Sequence, residues 1–374
     1  MKKMKKLFLV PLLSVFVLIS CEPDDNIIDK YESKGIFDSG ALVLNEGSFG
    51  TGNASVSFIS FDLNTTQNNI FSNINTGAVL GDTAQSIAFN GDLAYILVSV
   101  SDKIEIVNRY TFKKIAAITG VETCRYMTFA NGKGYVTGWG IENNPNDDFV
   151  AVINLTTNTI EKKIAVAEGP ELIIETAGKL FVSHKGGYGY GKTISVITAG
   201  SEVLTNTINV GDVPSTMQVH DGSLWVLCEG NPSYVAAPLI ETAGKLQKIN
   251  VATTVIENTY NFPNSTDHPS NLQILNSKAY FTKNSNVYKM SLVPVTAAAS
   301  LSLPVFPVFT SSISNLYGFA IKNNRIYISG YTSFSANGFV SIYSLGDTQD
   351  SALIGTLLRT TGVGVGPNGF YFNQ

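Results

Sequence analysis

The sequence predicts an all-β fold, a seven-bladed β-propeller of four-stranded blades, closed by a C-terminal strand that completes the N-terminal blade. Three observations carry this expectation. An aromatic residue returns at one place in a repeated strand, period-two alternation fills the stretches between, and each chain end holds an incomplete unit.

The repeated strand reads Leu93-Ala94-Tyr95-Ile96, Lys133-Gly134-Tyr135-Val136, Lys179-Leu180-Phe181-Val182 and Ser223-Leu224-Trp225-Val226. It continues as Lys278-Ala279-Tyr280-Phe281 and Arg325-Ile326-Tyr327-Ile328. The aromatic positions 95, 135, 181, 225, 280 and 327 lie 40, 46, 44, 55 and 47 residues apart. A period of about 40–50 residues with several strands per unit is the mark of propeller blades, which stack to bury their faces. The six rings are therefore expected to pack between neighbouring blades. Further strands such as Ile104-Glu105-Ile106-Val107, Ala151-Val152-Ile153-Asn154 and Ile194-Ser195-Val196-Ile197 fit sheet periodicity. No stretch keeps a 3.6-residue apolar period long enough for a helix.

The ends settle the count. Six complete units begin near residues 84, 124, 170, 214, 269 and 316. Strands expected at 41–45, 55–62 and 69–74 supply the second, third and fourth strands of another blade. The C-terminal Gly366-Pro367-Asn368-Gly369-Phe370-Tyr371-Phe372-Asn373 resembles the first strand begun by Gly169-Pro170-Glu171-Leu172-Ile173. One strand and three make a seventh blade and leave no free sheet edge.

Composition agrees. Hydrophobic residues make up 44% and charged residues 14%, enough for a large core and too little charge for disorder. A net charge of −4 without a basic face excludes nucleic acid as a partner.

The N-terminus reads as an address. Lys2, Lys3, Lys5 and Lys6 precede an apolar run over residues 7–19, the layout of a signal peptide occupying 1–20. That run falls short of the roughly 20 residues a membrane-spanning helix needs. Leu18-Ile19-Ser20-Cys21 resembles a bacterial lipobox, so Cys21 is expected to carry the lipid and anchor the chain. Residues 21–39, opening on Glu22-Pro23-Asp24-Asp25, read as a flexible acidic tether, with the propeller over 40–374. The acidic cluster resembles the surface-export signal of Bacteroidota lipoproteins; a merely solvated linker is the alternative. The expected location is the outer membrane, exposed at the cell surface. Cys21→Ala is predicted to abolish lipid labelling and to release the chain or leave it unprocessed. A variant that still fractionates with membranes, labelled and at wild-type size, contradicts the assignment.

In a propeller the loops between second and third strands share one face with the connections between blades, and ligands meet that face around the channel. These loops are short in blade two, around Ser101-Asp102-Lys103, and in blade six, and long in the other five. The long ones place Phe49, Trp139, His184, Tyr188, Tyr190, Tyr234 and Tyr331 on that face. Exposed aromatics on Gly-rich loops offer adaptable contact area, although each ring could instead fold back on its own loop. The residues opening each first strand, Gln85, Arg125, Glu171, Ser215, Ser270, Tyr317 and Asn368, are expected at the channel mouth, and Arg125 is the only cation among them. Solvation alone would also favour such a polar ring. The candidate ligand-binding residues are Phe49, Arg125, Trp139, Glu171, His184, Tyr188, Tyr190, Tyr234, Tyr317, Tyr331 and Asn368.

No catalytic residue, metal or cofactor is expected. His184, His220 and His268 are scattered, with His220 on the opposite face from the other two. Residues 143–148 offer oxygens for Ca²⁺ without a ligand spacing and read as a solvated loop. Cys124 and Cys228 read as independent, partly buried thiols. Only His184, Glu229 and His268 could serve an enzyme on the loop face.

Several segments resemble one family. Leu44-Asn45-Glu46-Gly47, Leu80-Gly81-Asp82-Thr83-Ala84-Gln85-Ser86, Arg125-Tyr126-Met127-Thr128-Phe129 and Leu224-Trp225-Val226-Leu227-Cys228 are similar to the YncE-like, YVTN-repeat propeller lipoproteins of Bacteroidota. The resemblance covers essentially all of 40–374, with the motif surviving as Tyr135-Val136-Thr137-Gly138. Ala84, Cys124 and Leu316 replace the usual Pro before the first strand, which alters the channel mouth. The resemblance implies a non-enzymatic surface protein that binds a small-molecule nutrient for a TonB-dependent outer-membrane transporter. Because the family includes a cobalamin-capturing member, a corrinoid is among the ligands it implies. The alternatives are an adhesive, glycan- or protein-binding propeller, and a propeller hydrolase or lyase.

Overall fold

Seven four-stranded antiparallel sheets make up the fold. The computed structural model describes residues 32–141, 144–187, 190–232, 240–294, 300–346 and 355–373. The signal peptide expected over 1–20, and Cys21, Tyr188 and Tyr234, lie outside the described residues.

The first strands of blades two to seven are Ala84–Asn90, Cys124–Ala130, Pro170–Thr176, Pro214–His220, Ser270–Leu275 and Leu316–Lys322. Blade one takes its inner strand from the other end of the chain: Pro367–Asn373 pairs antiparallel with Gly40–Asn45, followed outward by Ser55–Ser60 and Thr66–Gln67. Each inner strand touches the inner strands of both neighbours, so the ring closes. The expected count and closure hold. Asn373 locks the seam. Its Nδ2 donates to the carbonyls of Phe37 (2.8 Å) and Arg109 (2.7 Å), and its Oδ1 accepts from Arg109 Nε (2.7 Å). The Arg109 guanidinium lies 3.5 Å above the Phe89 ring.

The six repeated aromatics pack as expected, each at most 2% exposed. Tyr95 packs with Met127 and Val136 of blade three, and Tyr135 with Ile173 and Leu180 of blade four. Phe181 meets Met217 of blade five, Trp225 meets Phe281 of blade six, Tyr280 meets Phe319 of blade seven, and Tyr327 meets Val43 of blade one. Every ring therefore glues its blade to the next. Tyr135 also satisfies its hydroxyl by donating to the Ala199 carbonyl at 2.9 Å.

Blade one departs from expectation on its outside. The fourth strand expected over 69–74 is only Thr66–Gln67, and a short helix, Ile70–Ile74, follows. Asn69 breaks the extended chain by adopting a left-handed conformation (φ 55°), which Asn tolerates better than most residues. Ile70 and Phe71 are then buried in the cluster that joins blades one and two. Helix periodicity could not flag one turn. Cys124 and Cys228 are free and wholly buried, more so than expected, and burial pushes both thiols up to about 12.

Candidate functional site

The channel mouth is built by an irregularity repeated in all seven inner strands. Pairing of first with second strands skips Gln85, Ser215 and Asn368 singly, and skips the pairs Arg125-Tyr126, Glu171-Leu172, Asn271-Leu272 and Tyr317-Gly318. A β-bulge frees a residue from the ladder and re-aims its side chain. Six of the seven opening residues are such bulged residues. In blade six the bulge comes one residue late, so Ser270 and Asn271 both reach the mouth. All seven openers line one cavity of about 360 Å³.

A second ring of side chains completes the wall. It occupies the position four residues after the repeated aromatic in blades three, four, five and seven, immediately past the second strand: Trp139, Lys185, Glu229 and Tyr331, with Glu46 at the matching place in blade one. Glu46, Lys185 and Glu229 line the cavity directly. Trp139 and Tyr331 stand behind it. Arg125 sits 4.1 Å over the Trp139 ring, whose Nε1 donates to the Pro170 carbonyl at 3.0 Å. Tyr331 and Phe334 pack edge-on to Tyr317, with centroids 5.3 and 5.5 Å from it.

Charge in the mouth is partly paired. Arg125 grips Glu171 with two hydrogen bonds, Nε to Oε2 and Nη2 to Oε1, both 2.9 Å. Their side chains are 14% and 6% exposed, so the pair is largely withdrawn from water. Tyr317 donates its hydroxyl to Glu46 Oε2. Burial raises the Glu46 carboxyl above the ordinary range, opposed by that hydrogen bond and by Arg125. Lys185 is half-buried, and burial alone would lower its pKa. Glu229 and Glu171 outweigh that cost and raise it, so the ammonium keeps its proton. Polar side chains tie the wall together: Gln85 Nε2 donates to Tyr126 Oη (3.3 Å), and Asn368 Nδ2 to the carbonyls of Ala84 (3.1 Å) and Gln85 (3.3 Å).

Of the residues singled out from sequence, Arg125, Glu171, Tyr317 and Asn368 meet in the wall, with Trp139 and Tyr331 supporting them. Phe49 is 77% exposed and Tyr190 half-buried, and neither lines the cavity. His184 must be corrected: it is 1% exposed, and its Nε2 meets Ser195 Oγ at 2.8 Å. Side chains alternate along a strand, so Lys185 takes the mouth and His184 turns into the sheet. Burial pushes the imidazole down to about 4, keeping it neutral. Sequence reasoning left Glu46 and Lys185 out and weighed Glu229 only as an enzyme residue, although their fixed offset from the aromatic register was there to be read.

The histidines stay apart, since His220 ends a first strand at the far side while His268 contacts the Glu229 carbonyl (2.9 Å) and Glu241 (3.2 Å). Among the described residues no group of three or more His, Cys, Asp or Glu side chains is placed to hold a metal. Asp147 and Asp148 turn back on the protein, accepting from the amides of Ile141 (3.1 Å) and Gly169 (3.2 Å). Burial raises Asp148 to about 6, against the pull of the Gly169 hydrogen bond. A carboxyl raised above its unfolded value binds its proton more readily in the folded state, so stability falls as pH rises between about 4 and 6. Asp148→Asn is accordingly expected to stabilise by about 1–2 kcal/mol at pH 7 and to erase this group's share of the gain on acidification. Melting curves at both ends of the window check this, and an unchanged pH profile contradicts it.

The architecture is widely shared. A quinonprotein alcohol dehydrogenase-like protein of Bacteroides thetaiotaomicron superposes with a TM-score of 0.64 at 15% identity, covering 90% of this chain and 79% of that one. A putative 6-phosphogluconolactonase of Bacteroides fragilis gives 0.62 at 10% identity, covering 92% and 100%. The periplasmic gluconolactonase of Pseudomonas aeruginosa gives 0.62 at 9%, covering 89% and 99%. At such identities the likeness shows the fold alone. No curated protein matches the chain in sequence. One family model, described as "Domain of unknown function (DUF5074)", matches residues 39–342.

Proposed function

The chain belongs to the DUF5074 family, and from that premise we propose that it is a binding propeller, anchored by lipid at the cell surface, which holds a small nutrient at its channel mouth for a TonB-dependent outer-membrane transporter. The observation that carries the binding role is convergence. Seven bulged strand starts and a second ring of side chains direct mostly polar groups into one cavity of about 360 Å³, within the range of small-molecule sites, roughly 300–1,000 Å³. The anchor and the delivery role rest on the lipobox at Cys21 and on the resemblance to surface lipoproteins.

The cavity also bears on the ligand. It is too small to enclose a corrinoid, so cobalamin would have to lie across the mouth against the long loops, where Phe49 stands exposed. A small polar compound would enter fully. Titration calorimetry with cyanocobalamin and with compounds identified by native mass spectrometry of the purified protein separates these cases. Ser215→Trp, which fills the cavity, is expected to remove binding of an enclosed ligand by at least tenfold while leaving the melting temperature near wild type. Phe49→Ala should weaken only a ligand lying across the loops. Equal affinity of wild type and Ser215→Trp for every ligand found would move the site away from the channel.

A further inference from the structure

We infer that the occupant of the mouth is a zwitterion, an amino acid or short peptide of zero or positive net charge, whose carboxylate meets Lys185 and whose ammonium lies between Glu229 and Glu46; this rests on the ligand-binding reading above. The inference follows from which charges the protein has already paired. Among the described residues, two cations and three carboxylates line the cavity. Arg125 and Glu171 satisfy each other through two hydrogen bonds, and the guanidinium face is covered by Trp139. That pair is therefore part of the wall.

Three charged groups are left. Among the described residues, the Lys185 ammonium has neither a hydrogen-bond acceptor nor a carboxylate within salt-bridge distance, although it is half-buried. The Glu229 carboxylate likewise has no donor, and its residue is held in place through its backbone, its amide donating to the Val213 carbonyl and its carbonyl contacting His268. Glu46 commits one oxygen to Tyr317 and keeps the other. An ammonium carries three donors and a carboxylate only acceptors, so each of these sites calls for the opposite charge. Withdrawn charge without a partner is costly, and a ligand that supplies both partners recovers that cost.

Other ligand classes fit less well. A simple anion would satisfy Lys185 but face a wall whose remaining carboxylates outnumber it. A simple cation would leave the ammonium unmatched. A neutral sugar would use the hydroxyl and amide groups of Ser215, Ser270 and Asn271 but leave all three charged groups without an opposite charge in direct contact. A zwitterion answers both signs at once.

The test is calorimetry on the full mature protein with the twenty protein amino acids and glycylglycine, beside D-galactose and D-galacturonate. At least one zwitterion is expected to bind, and its amide, lacking the carboxylate, and its N-acetyl form, lacking the ammonium, should each bind at least tenfold more weakly. Lys185→Met and Glu229→Gln should lose the same factor, with Lys185→Arg retaining most affinity and all three melting like wild type. Binding of galactose or galacturonate with no zwitterion bound overturns the inference and leaves the small-ligand reading intact. Binding of a zwitterion that is indifferent to its amide, or to Lys185→Met, also overturns it. If no compound binds and native mass spectrometry finds no ligand, both readings fail together.

Discussion

Deleting residues 366–374 is expected to unmake the whole ring. The deletion removes the strand Pro367–Asn373, which pairs with Gly40–Asn45 along its full length, and with it Phe370 and Phe372 of the seam between blades seven and one. It also removes Asn373, which is wholly buried and holds Phe37 and Arg109 by three hydrogen bonds. The exposed edge of Gly40–Asn45 is apolar on both faces, the kind of edge that templates aggregation. A loss of more than about 5 kcal/mol corresponds to a fall of at least about 7 °C in melting temperature for a chain of this size. Loss of soluble monomer is the stronger form of the same outcome. Asn373→Ala alone should cost about 2–4 kcal/mol, because two carbonyls and a guanidinium nitrogen lose their partner in a dry place. A truncated chain that remains monomeric with an unchanged melting curve would show that the closing strand bears none of this load.

The second large effect is expected at Glu171. Glu171→Ala leaves the Arg125 guanidinium withdrawn from water without its counter-ion, which typically costs about 3–5 kcal/mol. Glu171→Gln keeps one acceptor and should cost less. The double replacement Arg125→Met with Glu171→Met should recover most of the lost stability, since a buried ion pair is often no more stabilising than well-packed apolar side chains. Chemical denaturation of the wild type and the three variants measures these costs. If the double variant is as unstable as Glu171→Ala, the cost lies in packing and not in the orphaned charge. Ligand affinity should fall in all three variants, because the pair forms the cavity wall between blades three and four.

Much of the fold was legible because a propeller repeats itself. The aromatic of each second strand must fill the same gap between blades, so the constraint recurs six times in Tyr95, Tyr135, Phe181, Trp225, Tyr280 and Tyr327 and stands above local noise. Closure was legible for a related reason, since the C-terminal strand has no partner of its own and the N-terminal blade lacks one. The helix Ile70–Ile74 was not legible, because a single turn beside a left-handed asparagine carries no periodic pattern. The orientation of the loop aromatics was not legible. Trp139 and Tyr331 turned out to brace Arg125 and Tyr317, and a ring on a glycine-rich loop carries nothing local that decides between packing inward and facing solvent.

The sequence by itself determined the number of blades, the glue between them and the seven residues that open the inner strands, because each depends on a short-range pattern that repeats. Only the tertiary structure decided which charges remain available at the mouth. Arg125 and Glu171 lie 46 residues apart and Tyr317 and Glu46, across the closing seam, 271 apart, and their pairing depends on bulges that no single strand reveals. The same holds for His184 and Lys185, neighbours in the chain whose fates differ because a strand sends successive side chains to opposite faces. One is sealed in the sheet as a neutral imidazole, and the other keeps its charge in the channel because carboxylates from blades four and five converge on it.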